Sequence, residues 1–203
     1  FSANDAIRAS EEDEEPIPQA QARAPIGADG VVHVGIIGTG GMGTGHADAL
    51  AKFAAESKSI RLAALCDLCD PRVQNAKARV DKAQGGDVPT YRHYEELLAR
   101  PDIHGVLIAS PEYWHARLAE DAIKAGKDVY VEKPVSHSIW EGERMVAAQK
   151  SSGRIVQSGT QYRSCRGLQA ATAWLNEGHI GKPQWGHVLW YEHRPPIGKC
   201  APF

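Results

Sequence analysis

An apolar run that ends in evenly spaced glycines constrains this chain more than anything else in it. Val32-His33-Val34-Gly35-Ile36-Ile37 reads as a buried strand and leads straight into Gly38-Thr39-Gly40-Gly41-Met42-Gly43, after which residues 41–56 read as a helix. Each glycine has a mechanical task in such a strand–turn–helix. Gly38 permits the tight turn, Gly40 lets a pyrophosphate approach the backbone, and Gly43 lets helix and strand pack closely. Unpaired N–H groups at the helix start, together with the positive end of its dipole, complete an anion site. Thr39, Gly41 and Met42 share the turn and join the three glycines as cofactor-binding candidates. Along the helix, Met42, Ala47, Leu50 and Phe53 are the expected inward residues, and His46 reads as a packing or solvent-facing residue.

The second apolar run, Ile60-Arg61-Leu62-Ala63-Ala64-Leu65-Cys66, reads as a parallel neighbour of the first, with Asp67 at its carboxyl end, 24 residues beyond Gly43. That is close to the roughly 20 residues expected for a carboxylate that accepts hydrogen bonds from an adenosine ribose. The same charge repels a 2′-phosphate, so NAD is favoured over NADP. Arg72 is a guanidinium near enough to hold such a phosphate, which keeps NADP open.

Strands and helices then alternate. A helix follows Pro71, residues 91–100 read as a short helix ending before Pro101, and residues 104–109 as a strand. Residues 113–124 form a helix closed by Gly126, and residues 128–131 a strand. Ser138 and Glu141 make a capping box for a helix that Gly153 ends. Residues 154–157 supply a sixth strand, residues 164–176 a helix stopped by Gly178, and residues 185–193 a last strand. The pattern predicts an α/β fold, a doubly wound parallel-sheet Rossmann domain over residues 30–160. A flexible acidic leader (1–29) precedes it. A linker helix and the first strand of a truncated C-terminal α/β domain (161–203) follow.

In doubly wound sheets ligands gather at the carboxyl ends of the strands. Those ends carry residues 38–43, Asp67, Ser110-Pro111, Glu132-Lys133-Pro134 and Gly159-Thr160-Gln161-Tyr162-Arg163. Lys133 stands out because the proline after it fixes its backbone, so that its ammonium can polarise a carbonyl, donate a proton or hold a nicotinamide carboxamide. It is the catalytic candidate. His115, just beyond Ser110-Pro111, is placed to contact cofactor or substrate, or else serves as a structural histidine. Trp114 and Trp140 read as core or interface residues. Arg163 and Arg166 read as a substrate clamp or as solvated surface.

These residues occur in an order that resembles the glucose–fructose oxidoreductase / inositol dehydrogenase (Gfo/Idh/MocA) family. The match runs from Gly38-Thr39-Gly40-Gly41-Met42-Gly43 and Cys66-Asp67 through Ser110-Pro111-Glu112-Tyr113-Trp114-His115 and the stretch 125–134 to Gly159-Thr160-Gln161. The resemblance implies a Rossmann domain followed by an α/β domain with an open, mostly antiparallel sheet. It also implies transfer of hydride between NAD(H) or NADP(H) and a hydroxyl of a sugar or cyclitol. Carried over by position, it implies pyrophosphate contacts from residues 38–43 and ribose contacts from Asp67. Ser110, Pro111 and His115 would lie along the cofactor, Glu132 and Lys133 near nicotinamide and substrate, with Gln161 among the binding residues. It further implies that the full-length form is a homo-oligomer. Two alternatives stay open: a glycosidase that uses bound NAD for transient oxidation, and a nucleotide-binding fragment without independent catalysis.

Composition narrows the classes further. The net charge of −2 is uneven, with seven acids and two bases in residues 1–29 against 18 acids and 21 bases in the rest. Lysine and arginine form no cluster interleaved with aromatics, so nucleic acid is not an expected partner. No apolar run is long enough for membrane insertion. Four cysteines, Cys66, Cys69, Cys165 and Cys200, are too scattered for a disulfide scaffold, and Cys66-Asp67-Leu68-Cys69 lacks the second ligand pair that zinc would need. No metal site is expected. Residues 158–163 and 194–199 resemble a bacterial branch that often carries a twin-arginine signal. The expected location is therefore the cytoplasm, or the periplasm after signal cleavage.

Overall fold

The first strand, β1 (Val32–Ile37), is paired on both edges, and its last three residues are buried. On one side it runs parallel to β2 (Ile60–Cys66), with Ile37 opposite Cys66, and on the other parallel to β4 (Gly105–Ile108), with Ile37 opposite Ile108. The computed structural model describes residues 21–22, 24–28, 30–189, 191 and 193. Among these the sheet has six strands in the order β3-β2-β1-β4-β5-β6, every pairing parallel. The remaining strands are β3 (Thr90–Tyr91), β5 (Asp128–Glu132) and β6 (Val156–Gly159). That order reverses direction between β1 and β4, and a crevice opens at such a switch point. The chain divides into two units, Phe1–Gly159 and Thr160–Phe203, and the sheet lies in the first.

Alternation along the central strands feeds two cores. Ile36, Leu62, Leu65 and Leu107 meet Ala47, Ala51, Val73 and Val80 from α1 (Gly41–Ser57) and α2 (Asp70–Gln84). On the opposite face Val106, Ile108, Val129 and Val131 share a core with Leu97 of α3 (Tyr94–Leu98), Leu118 and Ile123 of α4 (His115–Lys124), and Met145 of α5 (Ile139–Ser152). Each fully buried branched side chain contributes about 1.5–3 kcal/mol.

Several elements differ from the sequence reading, each for a local reason. In α1 the buried residues are Gly43, Ala47 and Ala51, whereas Met42 and Phe53, expected inside, are 47% and 52% exposed. A Cβ on Gly43 would lie 1.8 Å from the carbonyl oxygen of Gly38, so the helix is seated on its smallest side chains and Met42 is rotated away. Tyr91, expected in a helix, pairs with Cys66 as part of β3, and α3 starts only at Tyr94. Backbone pairing with the edge of β2 captures the two residues and overrides local propensity. A 3-10 turn (Glu112–Trp114) precedes α4, which therefore begins at His115. The capping box of Ser138 and Glu141 opens α5, and Gly153 ends it in the left-handed region. Arg154 and Ile155 then bridge to β6, whose register sets Val156 opposite Val129 and Gly159 opposite Glu132.

Residues 1–20, 23 and 29 of the expected leader, with its acidic block, lie outside the described residues. Its described part belongs to the first unit and is bonded to the rest of it. The Gln21 N–H donates to the Lys124 carbonyl at 2.9 Å, and the Pro25 carbonyl lies 3.1 Å from Nε2 of His104. Gly126, at φ +76°, leaves room there, since a Cβ would lie 2.6 Å from the Ala22 carbonyl oxygen.

The second unit contains a 3-10 turn (Gln161–Ser164) and α6 (Arg166–Asn176), beyond which Gly178 has φ +84°. Residues 185–189, 191 and 193, expected in a last strand, form none. A strand exists through its pairing, and among the described residues this segment meets no partner strand. Trp190, Glu192 and residues 194–199 lie outside the described residues.

Candidate functional site

The turn after β1 is built by close approach. The Gly38 N–H donates to the Cys66 carbonyl at 2.8 Å, and Gly38 has φ +93°, with a hypothetical Cβ only 2.6 Å from the backbone of Ala109 and Ser110. Gly38 and Gly43 are thus demanded by the protein itself. Gly40 and Gly41 are not: a Cβ on either would meet nothing within 4 Å. No side chain caps α1 and its first turn holds no acidic residue, so its leading N–H groups face an open cleft. Helix starts of this kind attract anions. Met42 is exposed beside them, whereas Thr39 is buried.

Asp67 ties this turn to the end of β2. Its Oδ2 accepts from the Thr39 N–H at 2.6 Å and the Thr39 hydroxyl at 3.0 Å, and its Oδ1 accepts from the Cys69 N–H at 2.8 Å. A carboxylate has about four acceptor positions, so part of its capacity is left for a ligand. Beside it, Thr39, Gly40, Gly41, Arg72 and Asn75 line a cleft of about 530 Å³. Arg79, on the same wall, is held by a forked ion pair with Asp48. Burial, reinforced by the charge of Asp67, pushes the Cys66 thiol up to about 12, so Cys66 stays a thiol at neutral pH.

At the ends of β4 and β5 the structure decides between the two roles open to His115, contact with cofactor or substrate and a structural histidine. The ring is 2% exposed, with Nδ1 2.6 Å from the Pro134 carbonyl and Nε2 2.9 Å from the Ser110 carbonyl. Both nitrogens are taken by the chain, so His115 braces the Ser110-Pro111 loop against the loop after β5 and offers no edge to a ligand. Pro111 itself is exposed and Ser110 half-buried. The Lys133–Pro134 peptide is cis.

Glu132 is also more enclosed than its expected place near the substrate implies. It is 3% exposed, its Oε1 lies 2.8 Å from Nε2 of His46, and its Oε2 accepts from the Lys133 N–H at 3.1 Å. His46, expected to be packing or solvated, packs its ring on Tyr130 and in addition holds Glu132, a partner not expected from the sequence. A usable signal was its place on α1 next to buried Ala47, where a polar ring needs a partner. Tyr130 lies beside the pair, its ring edge-on to His46 at 5.6 Å; burial, then the charge of Glu132, raises its phenol above the usual range. The Lys133 side chain is exposed and makes no side-chain hydrogen bond or ion pair among the described residues.

Residues 38–43, Asp67, Ser110, Pro111, Glu132 and Lys133 therefore stand at the carboxyl ends of four neighbouring strands, β2, β1, β4 and β5. Gln161 belongs to the second unit, where it opens the 3-10 turn, with Arg163 in that turn and Arg166 at the start of α6. Trp114 and Trp140 are 43% and 49% exposed, and the guanidinium of Arg144 lies 5.0 Å from the Trp140 ring centre.

Residues 32–160 match the family model GFO_IDH_MocA, described as an oxidoreductase family with an NAD-binding Rossmann fold. The chain is 30% identical to a myo-inositol 2-dehydrogenase of Thermotoga maritima over 165 residues, which is 81% of this chain and 46% of that protein. It is 33% identical to a glycosyl hydrolase family 109 protein of Solibacter usitatus over 132 residues, 62% of this chain and 29% of that protein. Among solved structures, myo-inositol dehydrogenase from Lactobacillus casei in complex with NAD(H) and myo-inositol is similar with a TM-score of 0.66 and 27% identity, over 75% of this chain and 43% of that one. The chain spans less than half the length of these relatives.

Proposed function

The chain belongs to the Gfo/Idh/MocA family of oxidoreductases, and on that premise we propose that its first unit binds NAD(H) for hydride transfer to or from a hydroxyl of a sugar or cyclitol. The observation that carries this reading is the bare backbone at Gly40 and Gly41. Nothing in the protein requires glycine there, yet a side chain would project into the cleft at an uncapped helix start. A pyrophosphate fits that cradle, with the N–H groups of the first turn of α1 as its donors. Asp67 accepts from ribose hydroxyls with its remaining capacity and disfavours a 2′-phosphate, so NAD is the expected form.

When bound, NAD supplies the hydride acceptor. This chain's own groups bind, orient and move a proton. Lys133, exposed at the end of β5, takes up or returns the proton of a substrate hydroxyl at Nζ. His115 holds the loops that carry Ser110 and Pro134 in register. Inositol dehydrogenases among the relatives support a cyclitol as the substrate class. Reduced-nicotinamide absorbance, followed with NAD and a panel of polyols including myo-inositol, tests the reading; a stoichiometric rise supports it.

A second reading has its own support in the glycosyl hydrolase family 109 relative. A glycosidase that oxidises and re-reduces its substrate releases an aryl leaving group without net NADH, and the same absorbance trace separates the two. Self-association of the whole protein and a cytoplasmic or periplasmic location remain proposals of this reading, checked by light scattering and cell fractionation.

A further inference from the structure

Helix α1 touches the candidate site twice. Its first turn presents the bare N–H groups, and His46, one turn beyond Gly43, reaches across the sheet face to Glu132. The carboxylate of Glu132 is 4% exposed and His46 25% exposed, so the 2.8 Å contact is largely screened from water. Enclosure of this kind is sterically prepared: a Cβ on Gly159 of β6 would lie 3.2 Å from Cδ of Glu132 and 3.0 Å from its Cα. The second oxygen of Glu132 accepts from the backbone N–H of Lys133 at 3.1 Å. A buried carboxylate needs such partners, and removing one frees the other to move.

We propose that His46 is a positioning residue for the nicotinamide end of the cofactor site. By holding Oε1 of Glu132 it leaves Oε2 to anchor the backbone of Lys133, and so sets where the lysine emerges from β5. One helix then aligns both ends of the dinucleotide, the phosphates through its first turn and the lysine through its second. This inference rests on the dinucleotide reading above.

ADP-ribose shares every part of NADH except the nicotinamide, so the pair separates the two ends. Calorimetric titration of both ligands into the wild-type chain and into His46→Leu and His46→Gln tests the inference. The expected result is that His46→Leu weakens NADH by about tenfold more than it weakens ADP-ribose, as expected for the loss of a hydrogen bond to a charged group. Glutamine, which carries an amide nitrogen near the position of Nε2, restores most of the difference. Equal losses for the two ligands, or no loss for either, overturn the inference while leaving the dinucleotide reading intact. A wild-type chain that binds neither ligand overturns both. Should His46→Leu not fold, the double variant His46→Leu/Glu132→Gln carries no unpaired buried charge and is judged by the same comparison.

Discussion

Thr39 and Asp67 are joined twice, by the backbone N–H and by the hydroxyl of Thr39, both donating to Oδ2 of Asp67. The glycine turn of β1 and the acidic end of β2 are therefore one mechanical unit, and a change at either residue reaches the other.

Thr39→Val keeps the shape and the backbone bond but removes the hydroxyl bond. Urea unfolding is expected to show a loss of about 0.5–1.5 kcal/mol. Asp67→Ala strips the acceptor from three donors, and dinucleotide affinity is expected to fall by about 1–3 kcal/mol. An unchanged affinity in a folded Asp67→Ala chain would remove Asp67 from ribose binding.

Gly40→Ala separates stability from binding. At φ −66° and with open space around it, residue 40 accepts a methyl group without strain. The melting temperature should stay within a few degrees of wild type, while NAD affinity drops by about tenfold or more because the methyl group occupies the approach to the backbone. Gly43→Ala should instead lower both, since its methyl would collide with the Gly38 carbonyl.

Lys133→Met, in the full-length protein, is expected to lower polyol-dependent NADH formation by about 10²–10⁴-fold, the usual contribution of a positioned acid or base, and so far more than the roughly tenfold cost to NADH affinity expected when the lysine is mispositioned. The opposite pattern would assign Lys133 to cofactor binding alone.

Thiol chemistry reports on the end of β2. With its thiol pushed up to about 12 by burial, Cys66 should resist alkylation at pH 8 in the native chain and react only on unfolding. The sign follows from linkage: the unfolded thiol ionises at about 8.5, so stability from this group is fully present below that pH and is lost as pH rises toward 12. Mass mapping of labelled peptides, with exposed Cys165 as the internal control, checks it.

The local parts of this site were legible in the sequence because they depend on short-range geometry. The glycine spacing, the strand–turn–helix around it and the carboxylate after β2 all lie within residues 32–67. The capping box of α5 was legible for the same reason. The contact between His46 and Glu132 was not, because the two are 86 residues apart and meet only once α1 and β5 share a face of the sheet. A structural role for His115 was legible as one of two readings, but its partner Pro134, in another loop, was not. The inward face of α1 was misread because large apolar residues dominate a hydrophobic pattern, whereas close helix–strand contact selects glycine and alanine.

The central claim is that the open N-terminus of α1 and the carboxylate of Asp67 hold a nicotinamide dinucleotide. Isothermal titration of the folded chain with NAD tests it most directly. The account predicts saturable heat of one-to-one stoichiometry that is weakened in Gly40→Ala and Asp67→Ala. Absence of heat with both NAD and NADP, in material that melts cooperatively, would contradict it.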